Sequence, residues 1–379
     1  MGIPSDDVVT IRQPESPGEP SVITISCPDK TGLGCDLCRV ILFFGLSIVR
    51  GDVSTDGKWC YIVFWVVGRG EGATRWGLLK KRLLGVCPAV LSASGLYDSC
   101  YRQQEMMAAQ QQAQLFLLKF SCYDRMGLLH EKGRKEETCE QLRAVLGDSM
   151  TNCDIEPASA EIASCMQASP SLPRAITEEM LALELPEESS RESPFSSNHP
   201  CVTMDNSLSP GHTLIQIFCR DHKGLLYDIM RTLKDYNIQI SYGRFHAVQN
   251  GSCEIDLFVM QMDGKKIIDA NKQKALRSRL RMELFSPLRV TAVSRGPDTE
   301  LLVANPVELS GKGRPLVFHD ITLALKMLRI RIFLAEIGRH IVGDREWEVY
   351  RILLGDDYEL SASKTKIVDG VTKMLMGWE

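Results

Sequence analysis

A Cys-x-Asp-x-x-Gly-Leu loop occurs three times in this chain, each time directly after an apolar, strand-like run. The copies are Cys27-Pro28-Asp29-Lys30-Thr31-Gly32-Leu33, Cys122-Tyr123-Asp124-Arg125-Met126-Gly127-Leu128 and Cys219-Arg220-Asp221-His222-Lys223-Gly224-Leu225. The spacing is nearly constant, with Asp124 − Asp29 = 95 residues and Asp221 − Asp124 = 97. Repetition at a fixed period means that one supersecondary unit was copied, so the unit must be read before the chain.

The first unit reads through completely, and the third is the cleanest. Val22 to Cys27 alternates β-branched residues and stops at Pro28. Leu33, Leu37, Val40, Ile41 and Phe44 then recur near the helical period, and Gly45 stands where a helix-ending glycine belongs. Leu46 to Thr55 and Lys58 to Val67 read as strands joined at Asp56-Gly57, a hairpin signal. A second helix over 73–85, with Trp76, Leu79, Leu83 and Leu84 on one side, and a strand over 89–96 complete a βαββαβ order. The fold class is therefore α+β: tandem ferredoxin-like units, each an antiparallel four-stranded sheet with both helices on one face. Tyr61 to Val67 is apolar on both faces, which predicts a sheet covered on both sides, with side-by-side or face-to-face pairing of units as the remedy.

The boundaries follow from the same pattern. Unit one spans 21–97 and unit three 213–296, with strands at 214–219, 238–247, 253–262 and 288–293 and helices at 224–236 and 269–284. Unit four spans 300–379, where Gly311-Lys312-Gly313-Arg314-Pro315 replaces the acidic loop and no final strand is readable. Unit two, 115–157, starts well at Leu115 but reaches a second helix only ~12–14 residues after Asp124, against 73 − 29 = 44 in unit one. Its central helix and hairpin are missing, which reads as an internal deletion. Residues 158–212, rich in Ser, Pro and Glu, cannot support a core and read as a disordered linker.

Composition narrows the function. A net charge of −4 over 379 residues, with 24% charged, lacks the basic surface that nucleic-acid binding needs. Met1 to Asp7 has neither a basic nor an apolar stretch, so a non-secreted, cytoplasmic or nuclear chain is expected. No apolar run reaches the ~18 residues of a membrane span. The thirteen cysteines then read as small buried hydrophobes, and Cys35-x-x-Cys38 as packing rather than zinc. No catalytic motif, metal set or cofactor-binding signature is present, so a non-enzyme without cofactor is expected. His130 and His222 read as surface or turn residues.

With three such loops in that order, the chain resembles the ACT-domain family, specifically the plant ACT-domain-repeat proteins built from four units. The likeness rests on residues 27–33, 219–226 and 311–315. It implies regulatory binding of free amino acids, with repeats similar to the glutamine-reading C-terminal domains of the bacterial uridylyltransferase. In such proteins the ligand lies between two units, with the start of the second strand as the other wall. That implies a site at Asp29, Lys30, Gly32 and Leu33, and another at Asp221, His222, Gly224 and Leu225. The walls are Gly45 and Leu46 in unit one and Asn237 and Ile238 in unit three, Asn237 being the more capable contact.

The loop chemistry fits independently. A glycine turn entering a helix offers backbone N–H groups at the positive end of the helix dipole to a carboxylate, and Asp29 or Asp221 could accept from an ammonium. The alternative is that these acids merely cap the helices. At the level of function the competing reading is a scaffold or adaptor using its sheets to bind a regulated protein partner or to form a homo-oligomer. The loop at Asp221 is the first place to look for a ligand.

Overall fold

β-Branched alternation and the Asp56-Gly57 turn build hairpins here, and helices cover them, two of them with a glycine N-cap. The computed structural model describes residues 8–14, 16, 19–68, 74–88, 136, 180, 200–248, 251–295, 298–342, 345–354 and 363–378. Unit two, apart from Glu136, and the strand expected over 89–96 lie outside the described residues, as does the expected linker over 158–212 except Met180 and 200–212. The chain divides into two compact bodies, one holding residues 1–94 and 184–287, the other 95–183 and 288–379.

In the first body, β1 (Val9–Arg12), β2 (Ser21–Pro28), α1 (Leu33–Phe43), β3 (Leu46–Thr55), β4 (Trp59–Gly68) and α2 (Trp76–Val86) form one unit. A second unit follows with β5 (Cys201–Asp205), β6 (Thr213–Arg220), α3 (Leu225–Asp235), β7 (Ile238–Val248), β8 (Ser252–Gln261) and α4 (Ala270–Phe285). The Asp56 carboxylate ties its hairpin, accepting from the N–H groups of Trp59 at 2.7 Å and Lys58 at 2.9 Å, and those two bonds hold its pKa below the usual range.

The eight strands make one antiparallel sheet in the order β1-β2-β4-β3-β7-β8-β6-β5. Within each half this is the ferredoxin-like arrangement, but the edge strand comes from before the unit rather than after it. β1 takes the edge beside β2, and β5 takes it beside β6. The strand expected to finish unit three, β9 (Arg289–Arg295), instead pairs with β10 (Asp298–Pro306) in the second body. Likewise the expected linker stops short of Cys201. Val202 explains this, since it buries its side chain against the core from the edge position.

The second body has a four-stranded antiparallel sheet, β11-β12-β10-β9, where β11 is Ile332–Val342 and β12 is Arg345–Leu354. Helices α5 (Val317–Met327) and α6 (Lys364–Met376) pack on it through Ile321, Leu325, Val371 and Leu375. Arg329, just past α5, is exposed yet holds φ +58°. A left-handed backbone costs a side-chain-bearing residue ~1–2 kcal/mol that glycine avoids. Arg329→Gly is therefore expected to stabilise this body by about 1 kcal/mol, read as a higher urea midpoint at unchanged slope.

The pairing of β3 with β7 joins the halves of the eight-stranded sheet. Asp52 and Arg244 occupy equivalent positions (52 + 192 = 244, as 29 + 192 = 221), and they are each other's register partners, with Arg244 Nε 3.6 Å from Asp52 Oδ1. An antiparallel pair of equivalent positions places a local two-fold axis there. One hydrophobic core runs beneath both halves, including Ile25, Ile41, Phe64, Leu79, Ile217, Ile229 and Leu280.

Side-by-side pairing covers an edge, not a face. Trp59 and Tyr61 on β4 remain 41% and 46% exposed among the described residues, so the expectation of burial on both faces does not hold there. Arg50 partly shields Trp65, its guanidinium 4.4 Å from the ring. Leu84, expected on the inner side of α2, points outward, because Leu79 and Leu83 already fill that face.

Candidate functional site

The local two-fold sets each loop against the other unit. The loop after β2, Asp29 to Gly34, opens onto Ile238, Gln239 and Ile240 at the start of β7 and onto Met230 and Lys234 of α3. The loop after β6, Asp221 to Tyr227, opens onto Leu46, Ser47 and Ile48 at the start of β3 and onto Cys38 and Leu42 of α1. The cavities differ: about 70 Å³ at the Asp29 loop and about 20 Å³ at the Asp221 loop.

Equivalent side chains explain the difference. Gly34 and Val53 line the larger cavity, whereas their bulkier counterparts Leu226 and Phe245 line the smaller one (34 + 192 = 226; 53 + 192 = 245). The smaller volume is about one or two water-sized probe volumes.

At the larger cavity, Gly32 is the N-cap of α1 at φ +78° and no side chain caps the helix. Asp29 does not take that role. Its backbone N–H donates to Lys58 O at 2.9 Å, and its carboxylate accepts from the Thr55 hydroxyl at 2.7 Å, which turns the acid toward β3. The Lys234 side chain lies across the loop, its Cε 2.7 Å from where a Cβ on Gly32 would stand, so a larger residue there would collide with it as well as strain the backbone. Lys30 and Lys234 share Asp36, at 3.5 and 3.6 Å. The cavity thus has an acid held by a hydroxyl on one wall and two ammonium groups beside a helix N-terminus on another. The two walls therefore carry opposite charge.

The Asp221 loop is built inward. His222 is buried rather than at the surface, its Nδ1 3.8 Å from Asp228 Oδ2. Asp228 in turn lies 3.5 Å from Arg231, whose Nη2 meets Glu283 Oε2 at 2.6 Å. Arg279 also reaches Glu283, at 2.9 Å. Burial alone would lower the Arg231 pKa, but the carboxylates of Glu283 and Asp228 reverse that and hold it charged. These contacts turn the polar groups of the loop into the fold.

Of the residues expected at the sites, Asp29, Lys30, Gly32, Leu33 and Ile238 meet at the larger cavity. Asp221, His222, Gly224 and Leu225 line the smaller. Asn237 lines neither. It ends α3 at φ +54° with its N–H bonded to Lys234 O, as Gly45 ends α1, and Gln239 stands at the wall instead. Thr31, Thr55, Lys234 and Gln239 are among the polar residues that sequence reasoning missed. Thr55 lies beside a recognised hairpin turn, but nothing local connects Lys234 or Gln239 with a loop 200 residues away.

Unit four lacks this chemistry. Counting back three from the left-handed N-cap, Leu316 corresponds to Gly32 and Gly313 to Asp29. Asn305 Nδ2 lies 2.7 Å from where a Cβ on Gly313 would be. Arg314 is buried and donates to Leu375 O at 3.2 Å, so it packs. Cys35 and Cys38 are both buried in the core, and no metal-holding cluster occurs among the described residues. Among the same residues no helix is long and apolar enough to cross a membrane.

Family models match three segments: an ACR10 N-terminal ACT-domain model over residues 11–88, an ACR9-like ACT-like domain over 201–298, and an ACR9 C-terminal ACT-domain model over 299–377. The chain is 51% identical to the ACT domain-containing protein ACR10 of Arabidopsis thaliana, with each chain covered completely. The chain belongs to the ACR family of ACT-domain proteins. Its ACR9 relative from the same plant is 45% identical, again over the whole of both chains. A segment is also 38% identical to the bifunctional uridylyltransferase/uridylyl-removing enzyme of Azospirillum brasilense, covering 23% of this chain and 9% of that one. The ACR10 alignment runs over 419 residues, so 419 − 379 = 40 of its positions have no counterpart in this chain. As an ACR protein it has a regulatory ACT-domain role.

Proposed function

We propose that this ACR protein is a non-catalytic sensor that binds one free amino acid per chain at the Asp29 loop. The observation that carries the reading is the 70 Å³ cavity, with Asp29 and Thr55 on one wall and Lys30 and Lys234 on another. The α-ammonium meets the acid, the α-carboxylate meets the lysines and the start of α1, and the side chain points toward Gln239. Glutamine is the first ligand to test, given the likeness to the uridylyltransferase repeats. The shortened unit two belongs to the proposal as a lost, non-binding copy, read from the short interval after Asp124. A cytoplasmic or nuclear setting also belongs to it, supported by eight free cysteines among the described residues.

Calorimetric titration of the full chain against the twenty amino acids tests this. One of them is expected to bind at a single site and, at 100 times its Kd, to raise stability by about 2.7 kcal/mol. Asp29→Asn should weaken it at least about tenfold, or ~1.4 kcal/mol, while Asp221→Asn leaves it unchanged. No heat and no melting shift from any amino acid at millimolar concentration would overturn the reading.

The scaffold reading is favoured by one observation, the exposed aromatic strip of Trp59 and Tyr61. On that reading a protein partner or second copy binds with the same affinity with and without amino acids.

A further inference from the structure

The strands that join the halves of the eight-stranded sheet have a counterpart in the second body. Cys60 pairs with Cys27 on one side and Thr55 on the other, and Glu348 pairs in the same way with Asn305 and Arg339. Arg339 therefore stands where Thr55 does (55 + 284 = 339), and the left-handed N-caps Gly32 and Leu316 keep the same offset (32 + 284 = 316). So do the bulges. The register shifts between Ile48 and Arg50 on β3 and between Ile332 and Leu334 on β11, and β7 has the matching shift between Ile240 and Tyr242 (48 + 192 = 240). β11 thus carries the same bulge as β3 and β7, the two strands that pair with each other.

Among the described residues β11 pairs with β12 on one side and with no strand on the other. It is 11 residues long, contains neither proline nor lysine, and leaves Phe333 and Ile341 72% and 76% exposed. A long edge of this kind, with its outward N–H and C=O groups, is a template for another strand.

We propose that β11 is a self-association edge, at which a second copy of this chain pairs its own β11 antiparallel across a two-fold axis. A second copy brings a strand with the same bulge in the orientation that β3 and β7 already adopt. Within the chain, units one and three use these strands on each other, and the short interval after Asp124 removes from unit two the hairpin that would serve β11. The equivalence also sets the register. Asp52 and Arg244 face each other at the local axis, and their counterpart on β11 is Glu336 (52 + 284 = 336). Glu336 then stands opposite the same residue of the second copy, with Ala335 facing Ile337 and Leu334 facing Gly338. Like charges directly opposite weaken a strand pair, and Arg351, its Nη1 4.0 Å from Glu336 Oε2, offsets part of that. On α5, Thr322 and Lys326 take the places of Cys38 and Leu42, which line the smaller cavity with α3 in the first body (38 + 284 = 322; 42 + 284 = 326). The helices beside this joint are therefore more polar, and the association is reversible. Nothing in it rests on the ligand reading.

Sedimentation of the full chain over a concentration series tests the proposal. Wild type is expected to pass from monomer to dimer within about 1–100 micromolar. Glu336→Arg mixed one-to-one with wild type recreates the opposition of Asp52 and Arg244, so the mixture should dimerise at least about threefold more tightly than either protein alone. Glu336→Gln by itself should tighten the dimer about twofold, and it keeps the test decisive if the arginine disturbs β11. A wild-type chain still monomeric at the top of that range, as when unit two or an unlike protein covers the edge, overturns the proposal. A dimer of equal affinity in wild type, Glu336→Gln and the mixture lies on another surface, such as the strip of Trp59 and Tyr61, and overturns it as well.

Discussion

Arg231→Ala is expected to lower the unfolding free energy by about 3–5 kcal/mol, the cost of leaving buried charges without their partner. Arg231, Asp228 and the Glu283 side chain are each 1% exposed, and the guanidinium sits between the two carboxylates. Its removal leaves Asp228 with His222 at 3.8 Å and Glu283 with the more exposed Arg279. The new cavity adds to this, since Arg231 is among the largest fully buried side chains. Urea unfolding of the full chain measures it; a loss below about 1 kcal/mol would mean that water enters and solvates the two acids. Because the network turns away from the Asp29 cavity, the variant should still bind the ligand at temperatures where it is folded.

Gly34→Leu is expected to abolish amino-acid binding. Leu226 occupies the equivalent place at the other loop, where the cavity is about 20 Å³ instead of 70 Å³. A Cβ at Gly34 would lie 3.2 Å from Met230 Sδ, a flexible side chain that can give way, so the fold tolerates the change while the larger side chain takes the ligand's volume. The expected result is at least a 100-fold weaker Kd, ~2.7 kcal/mol, with unfolding in the absence of ligand changed by no more than ~1–2 kcal/mol. Retained binding would place the ligand elsewhere than in this cavity.

Local signals carried the elements. Alternation in Val22 to Cys27, the helical period of Leu33, Leu37 and Ile41, and the Asp-Gly turn act within a few residues, and those elements form within two or three residues of where they were read. The unit order was less legible at its edges. Cys201–Asp205 and Val9–Arg12 are short edge strands of four or five residues, and their neighbours in the sheet rather than their own composition make them strands. Arg289–Arg295 reads as a strand, but alternation carries no information about which sheet accepts it.

The repeated acid and glycine by themselves determined the kind of unit, the number of candidate loops and the chemistry a loop could offer. They made the three acids look alike, and favoured Asp221 because Asn237 is polar. Tertiary structure set the two described loops apart. The pairing of Asp52 with Arg244 puts each loop against the other unit's strand, so the residues opposite a loop come from about 200 positions away. Whether the space between them is open then depends on volume: Gly34 and Val53 leave it, while Leu226 and Phe245 take it. Hydrogen-bonding capacity is written in each residue separately, whereas free volume belongs to the packing of residues that only the fold brings together.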